Sequence, residues 1–389
     1  MIARYNLPPV ARLVTSRAGT TGIAARRIVT EAAAGAAGWA DELTTHDGGE
    51  GEISHENLEI FQVLDEDESA GGCFVGLVCS MEFLERKLAI IASGEADVGS
   101  MDAVSTDGRT LLHIACEFGN AVAVKTLLRA GADLEARTES GHTALVFASI
   151  EGHTEVVEAL LAAGARTEAE DEDGWTALLI ASQEGHTAVV EELLAAGVDK
   201  EALTEIGYTA LAIASAQGHT GVVGALLTAG ADMGIKYNTG CTALHAASAR
   251  GHTAAVEVLL AAGLNKEAEE ESGSTALFMA SAQGHTAVVV ALLAAGANTE
   301  AAEGEATALH IASANGHVAV VHVLLAAGAN KEAEHESIAT ALQFASQGGH
   351  TAVVEALLAA GADMEAGDEV TLSEGRASGS NAEGGEVKE

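Results

Sequence analysis

Apolar residues along this chain fall into short clusters, each closed by glycine, and the clusters return at a fixed distance. Thr143 precedes the run Ala144–Ile150, which Gly152 ends; a second run, Glu155–Ala163, starts after Thr154 and ends at Gly164. A threonine hydroxyl can accept a free amide of the first helical turn, and glycine permits the left-handed backbone that stops a helix. The pattern predicts two short helices joined by a tight turn, hence nearly antiparallel. The residues that follow, 165–173, are acidic and without helical periodicity, which predicts an extended loop.

The same punctuation repeats. A T-x-L-x-x-A pattern begins at Thr110, Thr143, Thr176, Thr209, Thr242, Thr275, Thr307 and Thr340, at intervals of 33 residues except one of 32. A period in this range marks a stacked array, in which each unit buries its apolar face only against its neighbours. Pairs such as Val156/Val157 and Leu160/Leu161 recur in the second helix and make it apolar on two sides. Burying four such side chains is worth on the order of 6–12 kcal/mol per unit before entropy is subtracted. Ten-residue helices do not persist alone in water, so the stack is the folding unit. The fold class expected is an all-α repeat solenoid of helix-turn-helix-loop units.

These residues carry a family resemblance. Thr110-Leu111-Leu112-His113-Ile114-Ala115, Thr242-Ala243-Leu244-His245 and Thr307-Ala308-Leu309-His310 resemble the T-P-L-H-x-A signature of ankyrin repeats. Gly-His pairs ending at His153, His186, His219, His252, His285, His317 and His350, with Gly-Asn at Asn120, resemble the family's turn before a V-V-x-x-L-L-x-x-G-A helix. The family's proline after threonine is alanine or leucine here, which softens helix starts without changing architecture.

On this reading 1–54 is a disordered Arg-rich arm and 55–107 a degenerate N-terminal capping repeat. Eight repeats fill 108–370 (108–140, 141–173, 174–206, 207–239, 240–272, 273–304, 305–337 and 338–370), and 371–389 is a disordered acidic Gly/Ser tail. The last repeat keeps Val353, Val354, Leu357 and Leu358, so it is expected to fray or self-associate in a protein that is otherwise a monomer.

Composition narrows the partners. The chain has 389 residues, 48% hydrophobic but only 3% aromatic, so its core is built from Ala, Val, Leu and Ile. Nineteen Lys and Arg against 57 Asp and Glu give a formal charge of −38. Nucleic-acid phosphates require clustered cations, so no nucleic acid is expected. No run approaches 18 apolar residues, so no membrane span is expected either. A basic or amphipathic protein segment is the electrostatically permitted partner, although acid also serves simply to keep an Ala-rich stack soluble. Four cysteines without a C-x-x-C pair indicate a reducing compartment, expected to be the cytoplasm. Arg4, Arg12, Arg17, Arg26 and Arg27 all precede the first acid, Glu31, which leaves an organelle transit peptide as the alternative.

Catalytic and metal chemistry find no support. Equivalent histidines of adjacent repeats should lie about 8–10 Å apart, too far for the ~2 Å nitrogen–zinc distances of one site. Phosphate loops and nucleophile elbows are missing from the sequence. The chain is therefore expected to be no enzyme and to need no cofactor.

Information concentrates where the repeat varies. One variable residue stands between each glycine and threonine: Arg109, His142, Trp175, Tyr208, Cys241, Ser274, Ala306 and Ala339. The resemblance implies that this position lies on the loop finger and faces partners, and that positions late in the first helix join it along a concave groove. The first half of this strip holds the large side chains, and hot spots favour Trp, Tyr and Arg. The expected partner-binding residues are Arg109, Phe118, His142, Glu151, Asp173, Trp175, Glu184, Glu205, Tyr208, Gln217 and Arg250. The function expected is a non-catalytic protein-interaction scaffold; a passive spacer, or the regulatory arm of a larger enzyme assembly, are the alternatives.

Overall fold

The computed structural model describes residues 108–366, apart from 238–239, 304–305 and 335–338. These residues belong to the unit Glu68–Glu389, one of two into which the chain divides. The readings of 1–54, 55–107 and 371–389 fall outside the described residues.

Sixteen short helices follow one another in pairs among the described residues. The first helices of the eight units are α1 (Leu111–Glu117), α3 (Ala144–Glu151), α5 (Ala177–Glu184), α7 (Ala210–Gln217), α9 (Ala243–Arg250), α11 (Ala276–Gln283), α13 (Ala308–Ala314) and α15 (Ala341–Gln347). The second helices are α2 (Ala121–Arg129), α4 (Thr154–Ala162), α6 (Thr187–Ala195), α8 (Thr220–Thr228), α10 (Thr253–Ala261), α12 (Thr286–Ala294), α14 (Val318–Ala326) and α16 (Thr351–Ala359). Each helix packs on its unit partner and on its counterpart in the next unit, which gives two helical layers. The expected all-α repeat stack is what forms. In the second unit the sequence-based bounds differ from α3 and α4 by one residue at each moved end: α3 runs on to Glu151 before its C-cap Gly152, and α4 starts at Thr154 after its N-cap His153 and ends before its C-cap Ala163.

The core follows the doublets. Val156, Val157 and Leu160 are fully buried, as are their equivalents Val189, Val190 and Leu193, and Val222, Val223 and Leu226. The first-helix layer is closer-packed and uses small residues. Ser149, Ser182, Ser215, Ser248, Ser281 and Ser313 occupy one position in six successive units; all are buried, and none of their hydroxyls finds a partner among the described residues. Cys116 holds this place in the first unit, and burial pushes its thiol far up, leaving it unreactive.

The loops fold back on themselves rather than running extended. In five units the chain closes as a finger: Thr138 N–H donates to His142 O, Asp171 to Trp175, Thr204 to Tyr208, Tyr237 to Cys241 and Glu270 to Ser274. The sixth unit, shorter by one residue, closes as a minimal antiparallel pair, β1 (Ala302–Glu303) with β2 (Ala306–Thr307).

Two ladders tie neighbouring units. Each turn histidine donates Nε2–H to a carbonyl at the end of the preceding unit's first helix: His153 to Glu117 O at 3.1 Å, His186 to Ile150 O at 2.9 Å, His219 to Gln183 O at 2.8 Å, and so on to His350 on Ala314 O at 2.9 Å. This bond explains the glycine at the helix end twice over. Gly185 has φ +81°, and a Cβ there would stand 2.6 Å from the His219 ring. The second ladder runs along the finger bases. Glu135 accepts the N–H of Arg166, Glu168 that of Asp199 and Glu201 that of Asp232; beyond a gap, Glu267 accepts from Asn298, Glu300 from Asn330 and Glu332 from Asp363, all at 2.8–3.0 Å.

Candidate interaction surface

The variable finger residues and the first-helix ends define the candidate surface, and its chemistry changes along the array. In the first two units it is a network. Arg109 donates to Glu117 Oε2 at 2.9 Å and lies over the Phe147 ring, 5.2 Å from its centroid. His142 meets the same ring edge-on at 5.7 Å and reaches Asp171 Oδ2 at 3.3 Å. Burial alone would raise the Asp171 carboxyl, but hydrogen bonds from His142 and from the N–H groups of Trp175 and Asp173 outweigh it and hold the group below the usual carboxylate range. Arg109 and His142 thus face partners already engaged, and Phe147, which the repeat pattern presents only as core, is the hub between them.

Trp175 is half-buried at the head of the third unit, its N–H bonded to Asp171 Oδ1 at 2.8 Å. Tyr208 is half-buried and stacks on Tyr237 of the next finger, centroids 4.4 Å apart; burial pushes its phenol up. Phe118 is half-buried at the end of α1. Asp173 and Glu205 are exposed on fingers, and Glu205 Cγ lies 3.3 Å from where a Gly174 side chain would begin. Gln217 and Arg250 are exposed at the ends of α7 and α9.

The acids form the clearest feature. Glu117, Glu151 and Glu184 end α1, α3 and α5. Glu117 is paired with Arg109, and Glu184 accepts from Gln183, but Glu151 has no hydrogen-bonding or ionic partner among the described residues. Burial first, then repulsion from Glu117 and Glu184, pushes its carboxyl above the ordinary range, partly offset by His153 and His186. A carboxylate held against two others is electrostatically unsatisfied until a cation arrives.

The signature histidines play an internal part. His113 Nδ1 accepts the N–H of Thr110 at 3.0 Å, and its Nε2 donates to Ala136 O at 3.1 Å; His245 and His310 repeat this with Ala268 and Ala333. Gln343 substitutes in the last unit, Oε1 accepting from Thr340 and Nε2 donating to Ala366 O. The bonds demand neutral imidazole, and burial lowers the pKa of His245 accordingly. Among the described residues, no group of three or more His, Cys, Asp or Glu is placed to hold a metal ion, and no helix is long and apolar enough to cross a membrane.

Stacked helix pairs with fingers between them define a repeat array whose usable surface is distributed over many units. A family model for ankyrin repeats (3 copies) matches residues 81–171, 164–237, 221–303 and 295–368. Most of the chain is covered, and the protein belongs to the ankyrin repeat family. Ankyrin repeats are generally protein–protein interaction modules. No curated protein matches the chain.

Proposed function

We propose that this protein is a non-catalytic scaffold that binds a basic segment of another protein across the fingers and first-helix ends of the first four units. The observation that carries this reading is the unpaired Glu151 carboxylate between Glu117 and Glu184. A Lys or Arg side chain laid there would relieve the repulsion, while Trp175 and Tyr208 would supply the large, low-entropy contact area on which interfaces depend. The net charge of −38 would speed the encounter with a basic partner and make association rates fall with added salt.

Affinity capture with the wild type and a Trp175→Ala/Tyr208→Ala variant tests the proposal. The variant is expected to lose about ten-fold or more in affinity for the captured partner, with unfolding midpoints changed much less. Glu151→Gln is expected to weaken binding about five-fold, the worth of an exposed ion pair near 1 kcal/mol, and to leave stability equal or slightly higher. Binding unchanged in both variants, or losses in stability that match those in binding, would remove the basis for the proposal.

A further inference from the structure

The glutamate ladder has one missing rung. Six of the seven junctions between units carry it, each with a carboxylate on the N–H of the residue that opens the next finger. At the junction of the fourth and fifth units Gly234 stands where the glutamate would be, and the N–H of Asn265 meets no acceptor among the described residues.

Nothing in the backbone calls for glycine there. Gly234 is not among the glycines with positive φ, and its N–H still donates to Asp232 Oδ1 at 2.8 Å, the same turn that Glu201 makes with Asp199 and Glu267 with Asn265. A Cβ on Gly234 would meet only the Asp232 carboxylate, at 3.2 Å. The turn that presents a rung is intact; the side chain alone is gone. What it leaves is a cleft of about 340 Å³ walled by Met233, Leu264 and Ala268, with Lys236 at its edge. Lys236 uses one donor on Glu269 O at 2.8 Å, and an ammonium has two more.

We propose that this cleft binds the side chain of a glutamate from a partner protein, its carboxylate taking the Asn265 N–H and pairing with Lys236 while its methylenes cover Leu264. The occupant is identified by the molecule itself, which holds six glutamate side chains in the equivalent places. The site lies at the finger bases, apart from the acidic first-helix ends, and does not depend on the proposed binding of a basic segment. Asp232 also lines the cleft, but its Oδ1 is engaged by the Gly234 N–H, as Asp199 Oδ1 is by the N–H of Glu201, whose side chain still makes its rung. Repulsion from the rest of the acidic chain is screened beyond about 10 Å at 0.1 M salt.

The test is a titration of the full-length protein with N-acetyl-glutamate N-methylamide, followed by amide chemical shifts. The glutamine analogue and acetate serve as controls. Shifts saturating at millimolar probe are expected at Leu264 and Asn265, at least several-fold weaker with either control. They should disappear in Gly234→Glu, where the chain supplies its own rung, and shrink several-fold in Lys236→Met. Absence of shifts in the wild type overturns the proposal, as does persistence in Gly234→Glu. Equal response to glutamine analogue removes the role of charge, and equal response to acetate removes the assignment to a side chain.

Discussion

Units two to four and units five to eight share one scaffold and spend their polar residues in opposite directions. In units two to four the helix position facing the finger is apolar, Val146, Leu179 and Ala212, while the finger heads are His142, Trp175 and Tyr208. In units five, seven and eight that helix position is His245, His310 or Gln343, clasping threonine to finger, and the finger heads shrink to Cys241, Ala306 and Ala339. The sixth unit mixes the two, with Phe278 inside and Ser274 outside. Hydrogen bonds directed inward tie a finger down; on the proposed reading, large side chains on the finger head would be the ones that meet a partner. A repeat protein can therefore vary chemistry along its length while the spacing of its units stays the same.

The most damaging way to probe this comparison is to attack what both halves share. Gly185→Ala and Gly284→Ala each force a left-handed residue to carry a Cβ and push it onto a turn histidine, His219 or His317. Each should cost at least about 2 kcal/mol, since left-handed strain alone is of order 1–3 kcal/mol. Chemical denaturation showing comparable losses would support a common scaffold; a loss confined to one half would break it.

A smaller effect sharpens the difference. His245→Ala strands the Thr242 N–H and the Ala268 carbonyl, at about 1–3 kcal/mol. His245→Gln should retain most stability, because Gln343 already makes both bonds in the last unit. The two variants also differ from wild type in pH response. Since the folded pKa of His245 lies below its unfolded value, near 6.5, its contribution is complete above that value and is lost as pH falls through it towards the folded pKa. The glutamine variant should therefore lose less stability than wild type between about pH 6.5 and 5. Identical slopes in thermal melts would refute the neutral-imidazole clasp.

The smallest effect should again be shared. Ser215→Ala and Ser281→Ala remove buried hydroxyls that lack partners, and each is expected to be neutral or to gain up to about 1 kcal/mol. A clear loss at one position would reveal a hydrogen bond peculiar to that half.

The architecture was legible because it rests on local chemistry: threonine, glycine and the Val/Leu doublets act within their own unit. The candidate surface was legible in position and less so in state. That Arg109 and His142 are already engaged depends on Phe147 and Asp171, residues the pattern assigns to core and loop. The glutamate ladder escaped because each rung ends on a backbone amide about 31 residues away, and a backbone amide leaves no mark in a sequence. Its one signal was Gly234 in a column of glutamates.

The histidine ties have a bearing on how such a chain can grow. From the second unit to the eighth, each unit donates one ring N–H backwards to a carbonyl of the unit before it, in the same orientation throughout. A duplicated segment inserted between two existing units would bring one of each, so no buried group would be orphaned by the copy. The length of the array is thus free to drift by whole units, and the tie itself has survived the sixth unit's missing residue, His317 still finding its oxygen 35 positions back instead of 36.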